Sequence, residues 1–122
     1  MTKFYIICIL AYQAIVHGFD PRIIFAQAVV ESSLRPWVSN GPCKGLLQVN
    51  TKIWGRELNI DESRIFDPGY NLDIGMDILR SYYQQTGSMD AALARYNAGT
   101  SYDGRPYVRK IRRVLNESSC GL

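Results

Sequence analysis

Two Asp-Pro pairs, Asp20-Pro21 and Asp67-Pro68, constrain the chain more than any other local feature. An aspartate at such a point offers an acceptor to the orphan N–H groups of a first helical turn. A proline just inside has its φ already set and lacks only an N–H that would have gone unpaired. Asp20-Pro21 therefore opens a helix that runs to about Leu34 and stops before Pro36. Asp67-Pro68 opens a long one, closed by Gly87, with Leu72, Met76, Leu79 and Tyr83 at helical spacing. Upstream, Phe4 to Val16 forms a helix whose inner face runs Ile6, Leu10, Gln13 or Ala14, then His17, ending at Gly18. Thr51 caps a short helix carrying Trp54. Ser88 starts another, Met89 to about Asn97, and Pro106 starts the last, through Val108, Ile111 and Leu115. No segment alternates as a strand should, and only residues 38–50 leave room for one small hairpin. The expected class is all-α, in one domain over residues 1–122, because a chain this short supports a single core.

Composition narrows the function by exclusion. The 14 basic and 11 acidic residues leave a net charge of +3, far less lopsided than a dedicated nucleic-acid binder. No apolar run approaches the roughly 20 residues of a membrane span. One histidine, His17, and three widely spaced cysteines, Cys8, Cys43 and Cys120, offer no metal-ligand spacing, so no metal or cofactor is expected. Cys43 and Cys120 lie in loop-like sequence and could pair in an oxidising compartment, or all three thiols stay reduced. Lys3 and the apolar run Phe4 to Ala11 have the make-up of a secretory leader. Tyr12, Gln13 and His17 dilute that run and no small-x-small cleavage site follows, so the segment reads as a domain helix. Eight Tyr and two Trp suit a surface that stacks on sugar rings as well as a core. The basic run Arg109, Lys110, Arg112 and Arg113 reads as a solvated face near a helix end, and it also suits guiding the domain to an anionic polymer or a partner.

Glu31 is the residue out of place. Ile24, Ala28 and Glu31 recur at i, i+4 and i+7, which puts a carboxyl group on an apolar stripe. Lost hydration there disfavours the ionised form, and an acid that keeps its proton near neutral pH can serve as a general acid. The same position also suits a buried glutamate bonded to a helix end or an arginine.

The residues around Glu31 carry more information as an ordered set. Glu31-Ser32-Ser33, Pro36, Ser39, Gly45-Leu46-Leu47-Gln48-Val49 and Tyr96-Asn97-Ala98-Gly99 resemble the motif series of the lytic transglycosylase family. The resemblance runs from about Gly18 to Val114 and implies a lysozyme-like α fold related to the goose-type lysozymes. It implies that Glu31 is the sole catalytic acid/base and that Ser39 and Gln48 line the sugar groove. Tyr96 would contact the catalytic carboxyl through its hydroxyl, with Asn97 beside it. Two departures stand out. Leu47 replaces the family's methionine at similar volume, and Pro42-Cys43-Lys44 occupies a loop where the family has small residues.

Ordinary glycosidases use two carboxylates. No second acid sits in the loop from Gly45 to Asn50, and Asp73 and Asp77 read as compensating a helix dipole. The resemblance therefore implies substrate-assisted cleavage of the β-1,4 bond between N-acetylmuramic acid and N-acetylglucosamine in peptidoglycan. The acetamido group would act as nucleophile, and the product would be a 1,6-anhydro end. Such an enzyme works in the periplasm or cell wall, in an envelope machine or a phage virion. A goose-type hydrolase and a non-catalytic wall-binding module are the competing expectations.

Overall fold

The computed structural model describes residues 2–99 and 103–120, with nothing stated of the side chains of residues 118–120. Six α-helices occupy the described residues: α1 (Lys3–His17), α2 (Pro21–Ser32), α3 (Thr51–Trp54), α4 (Pro68–Thr86), α5 (Met89–Ala98) and α6 (Arg105–Cys120). A short 3-10 turn, Glu62–Arg64, follows α3. Between α2 and α3 lie three two-residue strands, β1 (Ser39–Asn40), β2 (Cys43–Lys44) and β3 (Val49–Asn50). They pair antiparallel in chain order, Ser39 opposite Lys44 and Cys43 opposite Asn50. The all-α expectation holds, and the single hairpin becomes a small three-stranded sheet. The fold is mostly α-helical.

The two Asp-Pro starts form as expected. Asp20 accepts from the Arg22 N–H and Asp67 from the Tyr70 N–H, each with proline next in line. Ser88 caps α5 and Gly87 closes α4 in the left-handed region. Helix α2 stops two residues earlier than its sequence pattern suggests, because Ser33 and Leu34 both take positive φ, 55° and 60°. That turn directs the chain out of the helix immediately after Glu31 and Ser32. At α3 the cap is Asn50 rather than Thr51; its side chain accepts from the N–H groups of Lys52 and Ile53.

One core holds the helices together. Ile6, Leu10 and Ala14 of α1, Ile24 and Ala28 of α2, and Leu72, Met76 and Leu79 of α4 are all buried in it. The α4 stripe ends differently from its spacing: Tyr83 is exposed, and Tyr82 packs inward instead. The other face of α1 stays outside, where Phe4, Tyr12, Ile15 and Val16 are exposed. No helix of the described residues is long and apolar enough to cross a membrane.

Asp73 and Asp77 require a correction. They sit beyond the first turn of α4, where a helix dipole has largely faded. They face His17 instead, whose Nε2 lies 2.7 Å from Asp73 and whose Nδ1 lies 3.6 Å from Asp77. The pair clamps the end of α1 to α4.

The loop Lys44–Gln48 sits deepest of the irregular segments, with Leu46 and Leu47 fully buried. Buried peptide groups need partners, and Asn71 of α4 supplies three. Its Oδ1 accepts from the Leu47 N–H at 2.9 Å, and its Nδ2 donates to the carbonyls of Lys44 and Ile65 at 2.8 and 2.9 Å. Gly45, at φ 81°, makes room for that amide, since a Cβ there would collide with it. Asn71→Ala leaves all three backbone groups unpaired and is expected to lower the unfolding free energy by roughly 2–4 kcal/mol. Urea denaturation checks this; a loss no larger than that of an exposed Asn→Ala change would contradict it.

Candidate active site

The last turn of α2 carries Glu31 to one wall of a cleft of about 540 Å³. Ser32 points inward and donates to the carbonyls of Ala28 and Leu46, at 3.1 and 2.9 Å, pinning the helix end to the buried loop. Glu31 lines the cleft. Its Oε2 accepts a hydrogen bond of 2.8 Å from the hydroxyl of Tyr107 on α6. Burial pushes the Glu31 carboxyl up from an ordinary 4.5 to about 7, and the Tyr107 bond only partly opposes that. No basic side chain stands in the last turn of α2 to favour the carboxylate. The group thus changes its protonation state near neutral pH, able to give a proton and take one back.

The tyrosine contact differs from what the motif implies. Tyr96 of α5 lines the same cleft, but its hydroxyl donates to the Leu47 carbonyl at 2.7 Å. The phenol that reaches Glu31 is Tyr107, which is buried, four residues before the buried Ile111 on α6. Helical spacing in the sequence could have marked Tyr107 as inward-facing. Nothing in that spacing names its partner 76 positions away.

The other expected residues divide. Asn97 is exposed and lines the cleft. Gln48 also lines it, yet its amide is spent on its own loop. Its Nε2 donates to the carbonyls of Val38 and Gly45, and its Oε1 accepts from Asn40. Gln48 takes a positive φ of 49°, an uncommon conformation for a residue with a side chain, and these bonds hold it there. Ser39 is exposed on β1 and is not among the cleft residues; its neighbour Asn40 is.

Several cleft residues were not legible in advance. Trp54 and Tyr82 meet edge to face with ring centroids 5.9 Å apart and line the cleft together. Cys43 of β2 also lines it, half-buried, and burial together with the nearby Glu31 pushes its thiol up, so it stays protonated. Cys120 ends α6 rather than a loop, and its side chain, with the pairing to Cys43 considered above, lies outside the described residues. Asp103 is the one other carboxylate among the described cleft residues. Arg105 holds it through backbone and guanidinium bonds of 2.8 to 3.0 Å, which lower it to about 2 and keep it ionised. The His17, Asp73 and Asp77 cluster does not line the cleft.

A family model described as the transglycosylase SLT domain matches residues 9–112. No curated protein matches the chain.

The upward shift of the Glu31 carboxyl ties folding stability to pH. A carboxyl group whose folded value lies above its unfolded one favours the folded state fully below pH 4.5, and that advantage is lost as pH rises to about 7. Glu31→Gln cannot ionise, so its stability relative to the native chain should climb by roughly 3 kcal/mol across that window and level off above it. Denaturation at a series of pH values reads this directly; a flat difference between the two proteins would contradict it.

Proposed function

Because the chain belongs to the transglycosylase SLT domain family, lysozyme-like proteins of the lytic transglycosylase type that act on cell-wall peptidoglycan, we propose that it cleaves the glycan by a single-acid, substrate-assisted route. The bond broken is the β-1,4 link from N-acetylmuramic acid to N-acetylglucosamine. One observation carries the proposal: Glu31 opens on the cleft as an acid pushed up to about 7, and the other described carboxylate there is tied to Arg105.

The chemistry then follows from what one carboxyl group can do. The 2-acetamido carbonyl oxygen of the muramic residue attacks its own anomeric carbon, and the bond to the leaving oxygen breaks. Glu31 gives its proton to that oxygen, releasing the downstream N-acetylglucosamine with a free 4-hydroxyl. Glu31, now a carboxylate, takes the proton of the muramic C6 hydroxyl. The C6 oxygen attacks the anomeric carbon, the acetamide is restored, and a 1,6-anhydro ring closes with no water consumed. Trp54, Tyr82 and Asn97 offer flat and polar contacts to the sugar rings along the cleft. Tyr96 contributes from its place beneath the loop, and Gln48 and Ser39 support the strands of that wall. Residues 1–122 act as one domain in this reading, in the periplasm or cell wall, whether within an envelope machine or a virion.

A hydrolytic reading has a specific residue in its favour. Asp103 is a second ionised carboxylate at the cleft, and a hydrolase of the goose type needs a group to orient water. Arg105 occupies that carboxylate, which favours the non-hydrolytic route.

Digestion of purified peptidoglycan with mass spectrometry of the fragments separates the two. The expected muramic ends are anhydro, one water lighter than hydrolytic products. Glu31→Gln should lose at least about a thousandfold in rate with its fold intact, whereas Asp103→Asn should stay within about threefold. Reducing muramic ends, or a folded Asp103→Asn protein without activity, would move the assignment to a hydrolase. A wild-type chain that binds the wall and never cuts it would make it a binding module.

A further inference from the structure

Gln27 lies one helical turn before Glu31 on α2, and its side chain is completely buried. Neither Nε2 nor Oε1 completes a hydrogen bond among the described residues. An apolar side chain of the same length would fill this place without stranding an amide, so packing alone does not account for it. The Gln27 amide works against the burial that raises the Tyr107 phenol, without completing a hydrogen bond of ordinary geometry. Tyr107 in turn meets Glu31 at 2.8 Å. Gln27 is buried, Tyr107 bonds Glu31, and Glu31 opens on the cleft.

The direction of the Tyr107–Glu31 bond matters to an acid. A phenol can donate to a neutral carboxyl group, or it can rotate and accept that group's proton. The first arrangement leaves the acidic proton on the other carboxyl oxygen, free for substrate. The second ties it up inside the protein. We propose that Gln27 is a positioning residue: its amide N–H faces the phenolic oxygen of Tyr107, so that the hydroxyl donates to Oε2 of Glu31 and the acid's proton is kept on Oε1. This rests on the reading of Glu31 as the catalytic acid, and it assigns to Gln27 a role exerted only through Tyr107.

Gln27→Met keeps the length and removes the amide. It should fold at least as stably as the native chain, since no polar group is then stranded. Its kcat on peptidoglycan should fall about tenfold with KM nearly unchanged, because substrate contacts are untouched. The pH midpoint of the stability step that Glu31 imposes, read against a Glu31→Gln partner in each background, should rise by about half a unit. That readout needs no substrate. Adding Gln27→Met to Tyr107→Phe should change neither quantity further, because the amide then has no hydroxyl to orient.

The outcomes are separable. A shifted midpoint in a chain that never cleaves the wall would uphold Gln27 and sink the enzymatic reading. A cleaving chain in which Gln27→Met shifts neither rate nor midpoint would overturn the inference alone. Equal losses in the native and Tyr107→Phe backgrounds would also overturn it, by showing that Gln27 acts without Tyr107. Gln27→Leu repeats the test at smaller volume; if both variants fail to fold, the amide serves the core and the inference is wrong.

Discussion

The buried peptide groups of Lys44–Gln48 are the constraint around which this molecule is arranged. A loop with two fully buried leucines cannot leave its N–H and C=O groups bare. Side chains from three helices meet that need: Ser32 of α2 at the Leu46 carbonyl, Asn71 of α4 at Leu47 N–H and Lys44, and Tyr96 of α5 at the Leu47 carbonyl. Gly75 of α4 leaves the space; a Cβ there would come within 2.6 Å of Leu47 and 3.1 Å of the Tyr96 hydroxyl. These bonds fix the loop beside the cleft, and they fix the end of α2 with it. Glu31 stands next to Ser32, so its position is inherited from the loop.

The acid at Glu31 is the result of an imbalance. Burial raises the carboxyl group, and one hydrogen bond from Tyr107 lowers it by less. An arginine or a second N–H donor in place of the phenol would reverse the sum and give an ordinary carboxylate. Asp103, on the same cleft, shows that reversal: exposed and held by Arg105, it falls to about 2. Two carboxylates at one cleft are thus driven apart by their surroundings, which is how a protein assigns an acid role to one of them.

Much of this was legible in the residues because it is local. The Asp-Pro starts, the Gly18 and Gly87 stops and the apolar spacing of α1 and α4 depend on neighbours within a turn or two. So does the placement of Glu31 on the stripe with Ile24 and Ala28. What escaped depends on tertiary contact. Period alone shows that Tyr107 faces inward, not that it meets Glu31, and the motif pointed to Tyr96 instead. Asp73 and Asp77 looked like dipole compensation until α1 brought His17 to them. Asn71, a polar residue on the buried face of α4, drew no notice because its three partners lie 6 to 27 positions away. Ser39 belongs to a motif that fixes its place in sequence but leaves it exposed on β1.

The account stands on the protonation state of one group, and that state can be observed without substrate. Carbon-13 labelling of glutamate side chains, with Glu31→Gln to assign the signal, lets the Glu31 carboxyl be followed by NMR from acid to alkaline pH. The predicted midpoint for Glu31 lies near 7. A Glu31 that titrates near the ordinary 4.5 would mean that the cleft hydrates it, and that it is a carboxylate, not an acid, at neutral pH.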